Sequence, residues 1–309
     1  MLPDGKRLHL QHGPIDLIVE AWGAGRADAY ARAARRFETI LEELVSELPL
    51  MRSPVDTIEA TDKPLRSGLD TRFRNRVEGA SKRLAQRRFE TPLPPPSGPV
   101  ATRMLNATIP FRETFITPMA AVAGAVADEI RSEIATVSQV TKAYVNNGGD
   151  VALYLSEGES FSAAVAAGIP AHLTITHDLP VRGIATSGWR GRSHSLGIAD
   201  SVTVLARTAA AADAAATLIA NAVDLPGHPG IRRQPASELS PDSDLGDRLV
   251  TVDVPPLAED EKDSALQNGL ALADDYLDRK LIRAAYLVLQ SEVRDRTAPC
   301  LPGLEKLTT

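Results

Sequence analysis

Three short stretches carry residue types that could handle a phosphorylated ligand. In Tyr144-Val145-Asn146-Asn147-Gly148-Gly149-Asp150, adjacent glycines let the backbone take positive φ and come close to a ligand. The same residues equally suit a plain hairpin turn, with Asn and Asp as turn formers. In the stretch from Thr186, Ser187 and Gly188 to Ser195, glycines and hydroxyls share a loop with Arg190 and Arg192. That composition could cradle a phosphate or carboxylate, or could simply be a surface loop. A triad of Ser187, His194 and Asp200 is conceivable, but the flanking pattern is not the Gly-x-Ser-x-Gly of a nucleophile elbow. The third stretch is Ala212-Asp213-Ala214-Ala215-Ala216-Thr217. Asp213 and Thr217 stand four apart, so on a helix their oxygens share one face. A carboxylate and a hydroxyl are hard ligands suited to Mg²⁺, although a helix cap with a nearby threonine uses the same residues.

The elements that must position these groups follow from periodicity. Residues 15–20 alternate as a strand, and Gly23-Ala24-Gly25 breaks the pattern. From Ala27 to Leu48, Tyr30, Ala33, Phe37, Ile40, Leu41 and Leu44 recur at helical spacing, with Pro49 as the stop. Residues 52–99 are rich in Arg, Asp and Pro and read as a surface excursion. Its Pro run favours extended backbone, and its cluster Arg72, Arg74, Arg76, Lys82, Arg83, Arg87 and Arg88 suits a solvated helix face or a phosphate site. Pro118 opens a helix of small residues to Ile134. Short apolar or β-branched strands follow at 142–146, 151–155, 171–176, 181–186 and 201–205, separated by Asn-Gly, Gly-Asp and other turn signals. Residues 209–223 form an Ala-rich helix, 225–244 a polar loop, 249–254 a last strand, and 258–294 a long C-terminal helical region. The expected class is α+β, with antiparallel sheet layers covered by helices in a single domain over 1–309.

Composition narrows the function. A net charge of −6 argues against a nucleic-acid partner, which favours a basic footprint. No apolar run approaches the ~20 residues of a membrane helix, and the N-terminus lacks the apolar run of a signal peptide. The lone Cys300 cannot form an internal disulfide. A cytoplasmic location is the expectation. The 52–99 excursion and the C-terminal helix are the segments that could support a homodimer.

Taken in order and spacing, the motifs resemble ApbE-type proteins: Gly148 to Asp150 after a strand, Thr186 to Gly188 at a strand end, then Ser201 to Val204 leading into Ala212 to Thr217. Residues 117–124 extend the likeness to an uncharacterised branch related to ApbE. That resemblance implies binding of FAD and Mg²⁺ and transfer of FMN to a threonine of a flavoprotein acceptor, with release of AMP. Asp213 and Thr217 would hold the metal, while Asn147, Gly148, Gly149, Asp150, Thr186, Ser187, Gly188, Arg190 and Arg192 would shape the nucleotide pocket. The family's His-Ile-x-Asp-Pro-x-Thr-Gly segment is replaced here by residues 194–200, of which only His194 matches. Two other readings therefore stand: a binding or assembly module without turnover, and an enzyme for another small anion held by Arg190 and Arg192.

Overall fold

In the computed structural model, eight antiparallel strands form the main sheet. Residues 1–59, 92–164, 171–299, 301 and 305–306 are described. β1 (Leu8–His12) and β2 (Ile15–Trp22) form a hairpin, and β2 then pairs with β3 (Lys142–Asn147). β4 (Asp150–Leu155), β7 (Gly183–Ser187) and β8 (Ser201–Ala206) continue the sheet. β11 (Ile282–Leu289) and β12 (Glu292–Thr297) close it. Alternation along β2 buries Ile15, Leu17, Val19 and Ala21 on one face and turns Glu20 and Trp22 to the other.

Helices cover the first face. α1 (Arg26–Ser46) buries Ala29, Tyr30, Ala33, Phe37, Ile40 and Leu44, a stripe at helical spacing. α2 (Leu48–Met51) follows at once, with Pro49 in its first turn rather than after it. α3 (Pro99–Thr108), α4 (Val122–Ala135) and α5 (Ala209–Ala222) join the layer, and a 3₁₀ turn at Pro118–Ala121 leads into α4. On the opposite face, β5 (Ser160–Ala164), β6 (Ala171–Thr176) and β13 (Glu305–Lys306) make a three-stranded sheet. Leu173 and Ile175 pack there with Leu153, Leu155, Leu205 and Tyr286 in a second apolar cluster. The class is α+β.

Three expectations change. The segment 258–294 is not one helical region: α7 (Glu259–Asp278) stops, Lys280 takes φ 58°, and Leu287 and Ala284 belong to β11. Their helical spacing is incidental to an eight-residue run, Ile-Arg-Ala-Ala-Tyr-Leu-Val-Leu, buried at nearly every position as an interior strand demands. The strand expected last, β10 (Leu249–Asp253), lies outside the main sheet and pairs with β9 (Arg232–Pro235). The 225–244 loop thus contains β9 and the short α6 (Ala236–Leu239). The basic cluster of residues 72–88 and Cys300 fall outside the described residues. The ends of that excursion meet where Ile58 bridges Leu93.

The small side chains of α4 and α5 let the two helices approach very closely. A Cβ on Gly124 would stand 2.3 Å from the backbone oxygen of Ala209. Glycine to alanine inside a helix gains about 1 kcal/mol of propensity, but overpacking against backbone costs about 1–3 kcal/mol or more. Gly124→Ala should therefore lose about 2 kcal/mol net in urea unfolding. An unchanged or raised midpoint would show that the two helices are not in this contact.

Candidate functional site

The turn from β3 to β4 places the first motif. Asn147 pairs with Asp150 across a two-residue hairpin whose Gly148 and Gly149 take φ 65° and 116°. Primed hairpin turns require such angles, and only glycine takes both without strain. The turn sits at the mouth of a cleft of about 1360 Å³. Asn147 is buried and donates through Nδ2 to the carbonyl of Ala123, tying the hairpin to the start of α4. Asp150 turns inward and accepts the Thr186 N–H at 3.2 Å, which joins the first motif to the second.

Thr186 shares a hydroxyl hydrogen bond of 2.9 Å with Thr203, and Ser187 and Gly188 continue along the cleft wall. Arg192 stands exposed at the mouth, its guanidinium against Gly148, and makes no hydrogen bond or ion pair among the described residues. Arg190 is placed differently. It does not line the cleft: it pairs with Asp200 at 2.6 Å and lies over the Trp189 ring at 4.6 Å. Asp200 also accepts from Trp189 Nε1 and from the backbone N–H of Gln290. The carboxylate a triad would need is thus occupied in pinning this loop. His194 lines the cleft, with Nε2 3.3 Å from Ser240 Oγ.

Asp213 and Thr217 lie one turn apart on α5 and both face the cleft. Asp213 Oδ2 accepts the Gly124 N–H at 3.0 Å, at the start of α4, where free amides and the helix dipole favour an anion. The exchange is reciprocal, because Asp128 of α4 accepts the Ala210 N–H at 2.9 Å at the start of α5. The Thr217 hydroxyl has no hydrogen-bond partner among the described residues.

Burial raises the Asp213 carboxyl well above its ordinary pKa, and the nearby charge of Asp150 adds to this against the amides of Gly124 and Ala123. Burial likewise pushes Asp150 up to about 7, opposed by the Thr186 N–H and by the charge of Arg192. The two carboxyls resist ionising together.

The residues expected from the sequence to hold a nucleotide and a metal, Arg190 excepted, line this one cleft together with His194, whereas Asp200 does not. Lys142, Trp22, Glu20, Phe161 and residues 242–245 line it too, without a motif in the sequence to mark them. The strand register that sets Trp22 opposite Lys142 spans more than a hundred residues of chain, so no local pattern announces it.

The family model described as AbpE bacteria matches residues 1–69 and 69–295. The UPF0280 protein of Methanothrix thermoacetophila is 37% identical over 130 residues, covering 40% of this chain and 52% of that protein. A UPF0280 protein of Methanopyrus kandleri is 38% identical over 133 residues, 40% of this chain and 48% of its own length. The chain spans about half the length of the curated relatives it matches. Among solved structures, the ApbE protein of Thermotoga maritima aligns with TM-score 0.46 and 14% identity, over 95% of this chain and 97% of that one. The apo flavinyl transferase ApbE of Pseudomonas stutzeri aligns with TM-score 0.42 and 13% identity, over 95% and 94%. No helix among the described residues is long and apolar enough to cross a membrane.

The raised carboxyls set a pH dependence. With pKa values above those of the unfolded chain, the folded protein keeps protons that the unfolded chain releases, so stability falls as pH rises from about 4 through about 7. Glu43, Glu129 and Glu261 are lowered. Their contribution has the opposite sign and is complete above the ordinary carboxylate range. In EDTA, stability from urea unfolding should fall between about pH 5 and pH 8, and Asp150→Asn should flatten that fall. Equal slopes in the two proteins would show that Asp150 titrates normally.

Proposed function

This chain belongs to the AbpE bacteria family, and from that premise we propose that its cleft binds a flavin nucleotide, FAD or FMN, with Mg²⁺ at Asp213 and Thr217. We further propose that it passes FMN from FAD to a hydroxyl of a flavoprotein acceptor. The observation that carries this reading is Asp213: a carboxyl facing the cleft, raised by burial and then by the charge of Asp150, with the Thr217 hydroxyl one turn away and without a hydrogen-bond partner among the described residues. Such a pair suits a cation that neutralises it. Among the described residues no three His, Cys, Asp or Glu side chains converge as a metal-holding group. That donor set suits Mg²⁺, which takes one or two carboxylates and completes its shell with water and phosphate oxygens. When bound there, the ion supplies charge neutralisation at the phosphates.

The chain's own groups supply the rest. The Gly148–Gly149 turn lets a pyrophosphate lie close to backbone, and Arg192 faces that turn with no hydrogen bond or ion pair among the described residues, in reach of a phosphate oxygen. Transfer forms a bond between the acceptor hydroxyl oxygen and the FMN phosphorus as the anhydride bond to AMP breaks. The hydroxyl proton passes to a base in the cleft, for which His194 is the candidate. Arg190 holds the loop through Asp200 and leaves the anion to Arg192.

One observation favours a second reading. Among the described residues, His194 makes one side-chain hydrogen bond, to Ser240, and the ApbE segment His-Ile-x-Asp-Pro-x-Thr-Gly is replaced here, which suits a module that binds flavin without turnover. Incubation with FAD, Mg²⁺ and a candidate acceptor should release AMP, measured chromatographically, and EDTA should stop it. Asp213→Ala should lower the rate by about 100-fold or more, since outer-shell groups at metal sites are alone worth 10–100-fold. Tight FAD binding without AMP favours the module. Loss of neither activity nor Mg²⁺-dependent binding in Asp213→Ala removes the metal site from the account.

A further inference from the structure

We propose that the end of the cleft away from Asp213 is a subsite for a planar heteroaromatic ring, walled by Trp22, Tyr144 and Phe161 and edged by Lys142. The subsite rests on the reading of the acidic end as a nucleotide's phosphate site. Strand register builds two walls of it. Trp22 faces Lys142 and Glu20 faces Tyr144 across β2 and β3, all at the alternate positions that turn away from the helices. Phe161 comes from β5, in the sheet that covers this face.

The three rings gather without stacking. Trp22 and Phe161 have centroids 5.5 Å apart at 67°, Trp22 and Tyr144 6.0 Å at 49°, and Tyr144 and Phe161 6.3 Å at 75°. Tilted and edge-on contacts leave the three rings unstacked on one another. All three side chains are half-buried, and Tyr144 and Phe161 also pack against the second apolar cluster. In a chain with only 4% aromatic residues, three half-buried rings line one end of the same cleft, as ligand pockets favour.

Lys142 gives the wall a charge. Its ammonium lies 5.5 Å from the Trp22 centroid and 5.3 Å from that of Phe161. It is held by Glu159 at 3.2 Å and by the Ser160 carbonyl at 3.1 Å. Electron-rich ring substituents such as carbonyls and ring nitrogens meet a cation and flat apolar faces together. The cleft is thus acidic and oxygen-lined at one end and aromatic at the other. A ligand that is phosphorylated at one end and flat at the other fits both: a nucleotide. Flavin and adenine rings share that flat face.

Calorimetric titration of FMN, ADP and inorganic pyrophosphate, each with MgCl₂, into wild type, Trp22→Leu, Phe161→Leu and Trp22→Phe tests this. Stacking contacts are worth enough that each Leu variant should weaken the ring-bearing ligand by about ten-fold or more. Pyrophosphate should bind all four proteins alike, and Trp22→Phe should recover most of the loss. The subsite is overturned if nucleotides bind and neither Leu variant changes their affinity, if pyrophosphate weakens by the same factor, or if neither nucleotide binds wild type. Ring-dependent binding of ADP without any binding of FMN would keep the subsite and end the flavin reading. Ring-independent binding of FMN would do the reverse. Should Trp22→Leu fail to fold, Phe161→Leu and Trp22→Phe decide.

Discussion

The structure turns on one exchange: Asp213 of α5 accepts an amide at the start of α4, and Asp128 of α4 accepts one at the start of α5. Each helix start has backbone donors with no partner in its own helix, and each finds one on the other helix. The exchange needs the two backbones almost in contact, which the alanines of α5 and Gly124 of α4 permit. It buries Asp128 and sets Asp213 where the helix layer meets the cleft. A carboxylate is thus placed by helix packing and left facing a cavity. Its burial raises its pKa, and that same energetic cost is what a bound cation would relieve.

From that point the cleft runs past the ends of the strands to the other face of the sheet. The β3–β4 hairpin joins the two regions: Asn147 and Asp150 turn toward the helices, while Lys142, Tyr144 and Asn146 face the second sheet. Strand alternation alone separates the acidic end from the aromatic end. The sheet is therefore more than a scaffold, because its register decides which chemistry each end offers.

What the sequence disclosed and what it hid divide along the same line. Gly148-Gly149, Thr186 to Gly188 and the Asp213–Thr217 pair were legible because each is a local pattern: a turn, a strand end, one helix face. Their order along the chain was enough to suggest a shared site. The roles of Arg190 and Arg192 were not separable, since they differ only in that Asp200 reaches one of them. The aromatic wall was illegible because it depends on pairing between residues 22 and 142 and on packing of β5 from another sheet. β11 was misread for a different reason. A strand buried on both faces loses its alternation, and an apolar run with a few three-residue spacings imitates a helix.

Asp213 and Thr217 are proposed as the cation end of a nucleotide cleft. Anomalous diffraction from crystals grown with Mn²⁺ and FAD tests it most directly. One manganese peak is expected within coordination distance of the Asp213 carboxylate and the Thr217 hydroxyl, with phosphate density completing its shell toward Gly148 and Arg192. Bound FAD with no metal peak at Asp213, or a peak held by other residues, would contradict it.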